Sequence, residues 1–296
     1  MDEELRLAHL ARAAEVLSNL PDPDATWEHG TMMRTGVEAM NGLLSASKAA
    51  VSLPRPTTSG YLRRQAVLIG LAVRLVKLYE GQLTHIADRR MDLVVLLLRS
   101  FFETGIYLAY LLRRPSSSCD NYIRTSFQPE KEKLRHLMAV RAERPLLPIE
   151  KRMLEAIKKR LTVAGVSQNE LLNRHNWKLD GKSMRDILDF LEWPLAYRFG
   201  FAQFSHNAHG SWDDLLTYHL KHSLDDPRKY YPSVDFEDSK PGLIGPTSVV
   251  FSGRILEVAT KFTLDPADNV TTTLIGYAAW FAEFDHVCEV QAQQNH

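Results

Sequence analysis

Apolar side chains recur every three or four residues along most of this chain, the period of helices with one buried face, and no run alternates convincingly as a strand would. Leu5, Leu10, Ala13, Val16, Leu17 and Leu20 predict a first helix, which Pro21-Asp22-Pro23 stops. A second helix over 31–53, rich in Ala, Met and small residues, ends in the breaker-rich loop Pro54-Arg55-Pro56-Thr57-Thr58-Ser59-Gly60. Over 61–89, Val67, Leu68, Leu71, Leu75, Leu78, Tyr79 and Leu83 give one broad apolar face leading into 91–112, MDLVVLLLRSFFETGIYLAYLL. That stretch is oily on all sides and predicts a helix at the centre of the fold.

The charged outer helices expected next, 121–144 and 149–163, flank Pro145-Leu146-Leu147-Pro148. Residues 165–181 read as a partly exposed connection containing His175 and Trp177. Ser183 is placed to cap a short helix over 184–191, with Asp186 completing a capping box. A helical stretch over 194–220 precedes a segment rich in Pro and Gly. Helices over 247–263 and 267–291 complete an all-α bundle, divided as N-terminal helices 1–55, a core domain 61–222 and a C-terminal hairpin 247–291.

Three charges interrupt the central helix. Asp92, Arg99 and Glu103, with Leu96, Ile106 and Tyr110, share one stripe at 100° per residue. An ionised Arg and Glu near its middle weigh against a membrane span, since each costs roughly 2.5–3.5 kcal/mol on insertion scales. Arg followed by Glu four residues later is the less favourable order within a helix, so a buried pair here needs partners from another helix. Tyr197, Phe201, Ser205 and His209, each four residues apart, form a second stripe that can supply them. His209 is the natural acid/base, because its unperturbed pKa lies near neutrality.

Composition narrows the field. Lys plus Arg equals Asp plus Glu at 36 each in 296 residues, so no global basic field exists. Cys119 and Cys288 lack metal or redox spacing, and the acidic N-terminus is unlike a secretory signal; a cytoplasmic protein is expected. His206-x-x-His209, His219-x-x-His222 and Glu283-Phe284-Asp285-His286 place ligand types one turn apart, yet do not add up to a di-metal carboxylate set. Neither a phosphate-binding glycine loop nor a nucleophile elbow occurs. No metal and no cofactor are expected.

The motifs Leu97-Leu98-Arg99-Ser100-Phe101-Phe102-Glu103 and Ser205-His206-Asn207-Ala208-His209-Gly210-Ser211 resemble a bacterial domain-of-unknown-function family, number five-six-seven-seven in its series. Trp177 and Gly181 also sit where such sequences carry them, and the resemblance spans roughly 61–220. It implies an all-helical fold. More loosely, the family is similar to HEPN-like helical ribonucleases of toxin and phage-defence systems, which use an Arg and a His on one helix. Arg198 precedes His206 by eight positions, a longer spacing than theirs, so the arginine of a comparable site would be Arg99. The resemblance implies a metal-independent nuclease with Arg99, Glu103, Ser205 and His209 as catalytic residues and Tyr197, Arg198 and His206 as binding residues. RNA is the expected ligand, with a second copy or another protein as partner and no membrane. The alternative is a non-catalytic binding or oligomerisation module, in which Arg99, Glu103, Ser205 and His209 form a buried polar lock.

Overall fold

A computed structural model describes residues 3–23, 28–51, 61–193, 212–222, 230–233, 236, 238–262 and 269–294. The described chain is all-α, as its hydrophobic period predicts. Helices α1 (Glu3–Asn19), α2 (His29–Val51), α3 (Arg63–Ala87) and α4 (Met91–Arg113) come first. Shorter α5 (Ser117–Thr125), α6 (Gln128–Glu143), α7 (Pro148–Ala164), α8 (Gln168–Asn173) and α9 (Met184–Phe190) follow. Beyond them lie α10 (Trp212–Tyr218), α11 (Ile244–Phe262) and α12 (Asn269–Gln294).

Three local readings change. The connection expected over 165–181 contains α8, capped by the Ser167 hydroxyl, which accepts from the Glu170 amide at 3.1 Å. The helix expected over 121–144 is broken at Ser126-Phe127, because α6 starts afresh with Pro129 in its first turn, where a missing N–H costs nothing. A small antiparallel ladder also exists: β1 (Leu220–His222) pairs with β2 (Tyr230–Pro232), Lys221 opposite Tyr231. His219 therefore sits in a turn and His222 in a strand, rather than one turn apart on a helix end. The capping box at Ser183 is present, its hydroxyl accepting from the Asp186 amide at 3.2 Å while the Asp186 carboxylate accepts from the Ser183 amide at 2.7 Å.

Helix α4 packs between α3 and α11, burying Val94, Val95, Leu98, Phe101, Leu108 and Ala109. It is long and apolar enough to cross a membrane, with a mean hydropathy of 1.5 over an 18-residue window. One face nevertheless stays open, since Leu96 is 46% exposed. Helices α2 and α11 share the centre with it: α2 lies against α1, α3, α11 and α12, and α11 against α2, α3, α4 and α12. Small residues make that possible. A Cβ at Gly36 would come within 2.9 Å of Ile244, and one at Gly42 within 1.8 Å of the Tyr277 hydroxyl, so both glycines mark close helix crossings. Tyr79 stacks on Phe251 at 4.0 Å between ring centres and shares a 2.7 Å hydrogen bond with Ser248, satisfying a phenol in the dry core.

A second, separate core lies outside this bundle. Leu134 and Leu137 of α6, Leu154, Ile157 and Leu161 of α7, Val166, and Leu171 of α8 enclose one another. These three helices form an arm beside the main bundle.

Candidate functional site

Along α4 the polar stripe passes through Leu96, Arg99, Glu103, Tyr107, Tyr110 and Arg114. Tyr107 joins the stripe, while Ile106 and Tyr110, 3% and 0% exposed, lie on its core-facing edge. Four residues turn the helix by 400°, only 40° past the start, whereas three leave it 60° short. Arg99 Nε lies 3.8 Å from Glu103 Oε2. Their side chains are 22% and 39% exposed, so the buried ion pair expected from the sequence is instead a solvent-reaching one.

Neighbouring helices add to this face. Arg74 of α3 donates from Nε to the Thr104 hydroxyl at 3.1 Å, and Thr104 donates in turn to the Ser100 carbonyl at 2.6 Å. Tyr122 of α5 meets Tyr107 edge to face, with ring centres 5.7 Å apart. Burial pushes the Tyr107 phenol up to about 12, and the Glu103 carboxylate adds to the effect. Burial raises Tyr122 as well, with Arg74 pulling it down and Glu103 pushing it up. Both phenols therefore stay protonated at neutral pH and can donate hydrogen bonds. Two guanidinium groups, one carboxylate and two neutral phenols share this region. They suit an anion with several acceptor oxygens, such as a phosphodiester.

Below the face, Asp180 fixes how α5 sits on α4. Its Oδ2 accepts from the Tyr110 hydroxyl at 2.9 Å and the Ser118 hydroxyl at 2.7 Å, and its Oδ1 from Asn121 at 2.9 Å. Arg114 Nε lies 3.6 Å from the same carboxylate. Burial works to raise the Asp180 pKa, but donation from Asn121, Ser118 and Tyr110 outweighs it and the net shift is downward. The backbone at residue 180 has φ +51° and Gly181 has φ +74°, so an Asp-Gly pair supplies the two residue types that tolerate this left-handed turn. Ser118, Asn121 and Tyr122 share one face of α5. Fixing the first two on Asp180 holds the third against Tyr107.

On the opposite side of α5, Asp120 receives Arg64 Nε at 2.7 Å and Arg63 Nη2 at 3.1 Å, joining it to the start of α3. The Arg64 hydrogen bond is the main reason its carboxyl lies below the usual range. Trp177 lies beneath the Lys131 ammonium and the Arg174 guanidinium, 5.5 and 5.6 Å from its ring centre.

Of the seven site residues read from the sequence, Arg99 and Glu103 are together on the open stripe. Tyr197, Arg198, Ser205, His206 and His209 lie outside the described residues. Arg74, Tyr107, Tyr122 and Asp180 were not singled out. The signals available were an Arg inside the apolar run of α3, a Tyr four residues after Glu103, and an Asp-Gly turn. Among the described residues, no group of three or more His, Cys, Asp or Glu side chains is placed to hold a metal ion.

A family model described as a family of unknown function, DUF5677, matches residues 65–227, more than half of the chain. The match takes in most of α3 and all of α4 to α10, and with them Arg74, Arg99, Glu103, Tyr107, Tyr122 and Asp180. No curated protein and no solved structure matches the chain.

Proposed function

The chain belongs to this family of unknown function, and from there we propose that it is a helical ribonuclease of the HEPN-like kind, working in the cytoplasm without a metal ion. The observation that carries the reading is the open Arg99–Glu103 pair, flanked by Arg74 and the phenols of Tyr107 and Tyr122. A guanidinium that reaches solvent can meet a phosphate. His209 would take the proton from a ribose 2′-hydroxyl, whose oxygen then attacks the adjacent phosphorus. The bond to the 5′ oxygen breaks, and that oxygen leaves as a hydroxyl with the proton that His209 would hand on. Arg99 would hold the negative charge that builds on the phosphorus oxygens, and Glu103 would keep Arg99 aimed. Ser205 would position His209, while Tyr197, Arg198 and His206 would hold the strand. Such an activity suits a toxin or phage-defence role. The rival reading is a non-catalytic binding or oligomerisation module in which Arg99, Glu103, Ser205 and His209 form an enclosed polar lock.

The test is cleavage of RNA in EDTA by wild type, Arg99→Ala and His209→Ala, with thermal unfolding of each. The reading expects wild-type cleavage that falls about 100-fold or more in both variants, with unfolding changed by no more than about 1 kcal/mol. A wild type that cleaves nothing overturns it. Cleavage abolished by EDTA overturns the metal-independent mechanism.

A further inference from the structure

We propose that the α6–α7 arm is a second, non-catalytic docking surface for the sugar-phosphate backbone of RNA. The choice of RNA over other polyanions rests on the nuclease reading; the surface itself rests on charge. Residues 128–164 carry ten Lys and Arg against five Glu, leaving 26 basic against 31 acidic residues in the remainder of a neutral chain. The arm is thus the cationic part of a molecule otherwise slightly anionic.

Pairing sharpens the asymmetry. Arg135–Glu132, Arg144–Glu150, Lys158–Glu155 and Arg160–Glu130 consume four of the acids. Lys133, Arg141, Lys151, Arg152 and Lys159 are all exposed and have no ion pair among the described residues, against the single unpaired Glu143. Arg141 and Arg144 from the end of α6 and Lys151 and Lys158 of α7 line a groove of about 670 Å³, outnumbering Glu143 and Glu155 there by two charges. Lys151 and Lys158 are seven residues apart, about 10.5 Å along the helix axis. Arg152 and Lys159 repeat that spacing one step round the same helix.

The arm is stiff enough to present this face. It has its own apolar core. It is also tied to the bundle where Arg63 Nη1 donates to the Ala164 carbonyl at 2.8 Å and Lys131 donates to the Arg174 carbonyl. Leu147 and Ile149 at its tip are 52% exposed each, which makes an anionic bilayer the competing partner. The concave groove, with cations on both walls, fits a strand better than a flat array of headgroups, and the three exposed apolar side chains near the tip, Leu147, Ile149 and Met153, bury little area in a bilayer.

The probe is a fluorescein-labelled single-stranded RNA of mixed sequence, its binding to the full chain read by anisotropy from about 50 to about 200 mM salt. Arg141→Glu/Lys151→Glu is compared with Arg12→Glu/Lys77→Glu, which changes the same charge on exposed helix faces elsewhere. Circular dichroism checks that each variant is folded. The arm variant should bind at least about tenfold more weakly, with a salt slope shallower by about 1.4 for two lost phosphate contacts. The control should match wild type. Equal weakening in both variants, or no RNA binding by wild type, overturns the proposal. So does binding to phosphatidylserine vesicles that Leu147→Ser/Ile149→Ser abolishes while the arm variant still binds RNA as wild type does. Cleavage is not read, so a failed nuclease reading leaves the binding result standing, and a failed arm leaves cleavage untouched.

Discussion

Tyr110 donates its phenol to Asp180 at 2.9 Å, joining α4 to a left-handed residue seventy positions later. The bond fixes more than one side chain. Ser118 and Asn121 converge on the same carboxylate, so a turn remote in sequence sets the position of α5 on α4 and hence of Tyr122 beside Tyr107.

Asp180→Ala should therefore be costly. It strands the buried Tyr110 hydroxyl and the Ser118 hydroxyl, and leaves Arg114 without its carboxylate. Loss of about 3 kcal/mol or more is expected in urea unfolding, against about 1 kcal/mol for Tyr110→Phe, which removes one donor only. Equal, small losses would mean that the network does not hold the turn.

Acid should act through the same groups. Asp120 and Asp180 both have folded pKa values below their unfolded ones, Asp120 chiefly through Arg64 and Asp180 through its hydroxyl and amide donors despite burial. Their contribution is present above the unfolded value of about 3.9 and is lost as pH falls through the lower folded values. The melting temperature of wild type should fall more steeply below about pH 4 than that of Asp120→Asn/Asp180→Asn. Parallel curves would count against this assignment.

The two sides of α4 should respond differently to truncation. Leu108 is 0% exposed and Leu96 is 46% exposed. Leu108→Ala should cost about 2–5 kcal/mol, by lost transfer energy and a cavity that cannot collapse, and Leu96→Ala about 0.5 kcal/mol or less. Comparable losses in chemical denaturation would mean that the Leu96 face is covered in solution.

Gly42→Ala should disrupt a helix crossing. The added methyl would overlap the Tyr277 hydroxyl, which donates to the Ala13 carbonyl at 2.7 Å and so joins α12 to α1 across α2. Overpacking of this kind costs about 1–3 kcal/mol, outweighing the roughly 1 kcal/mol that Ala gains over Gly in a helix. Tyr277→Phe should not rescue it, because the methyl would still lie 2.6 Å from the ring carbon that bears the hydroxyl and 2.9 Å from Val16; a Gly42→Ala variant as stable as wild type in chemical denaturation would dismiss the clash.

The sequence by itself determined the all-α class, the position of α4, the Ser183 cap and the Arg99–Glu103 stripe. Each is a local matter: a 3.6-residue period, a hydroxyl three residues before an acid, a four-residue spacing. What only the tertiary structure decided lies between distant segments. The centrality of α2 is muted in the sequence because its close crossings use Gly36 and Gly42, which add almost nothing to a hydrophobic pattern. The exposure of Arg99 and Glu103 depended on which side of α4 its neighbours cover, and a shared stripe says only that the two charges point the same way, not whether another helix lies over them. Arg74 and Tyr122 join the face from α3 and α5, and Asp180 anchors it from a turn 106 residues beyond Arg74. Periodicity along one segment carries no information about which distant polar groups will satisfy one another once the helices pack.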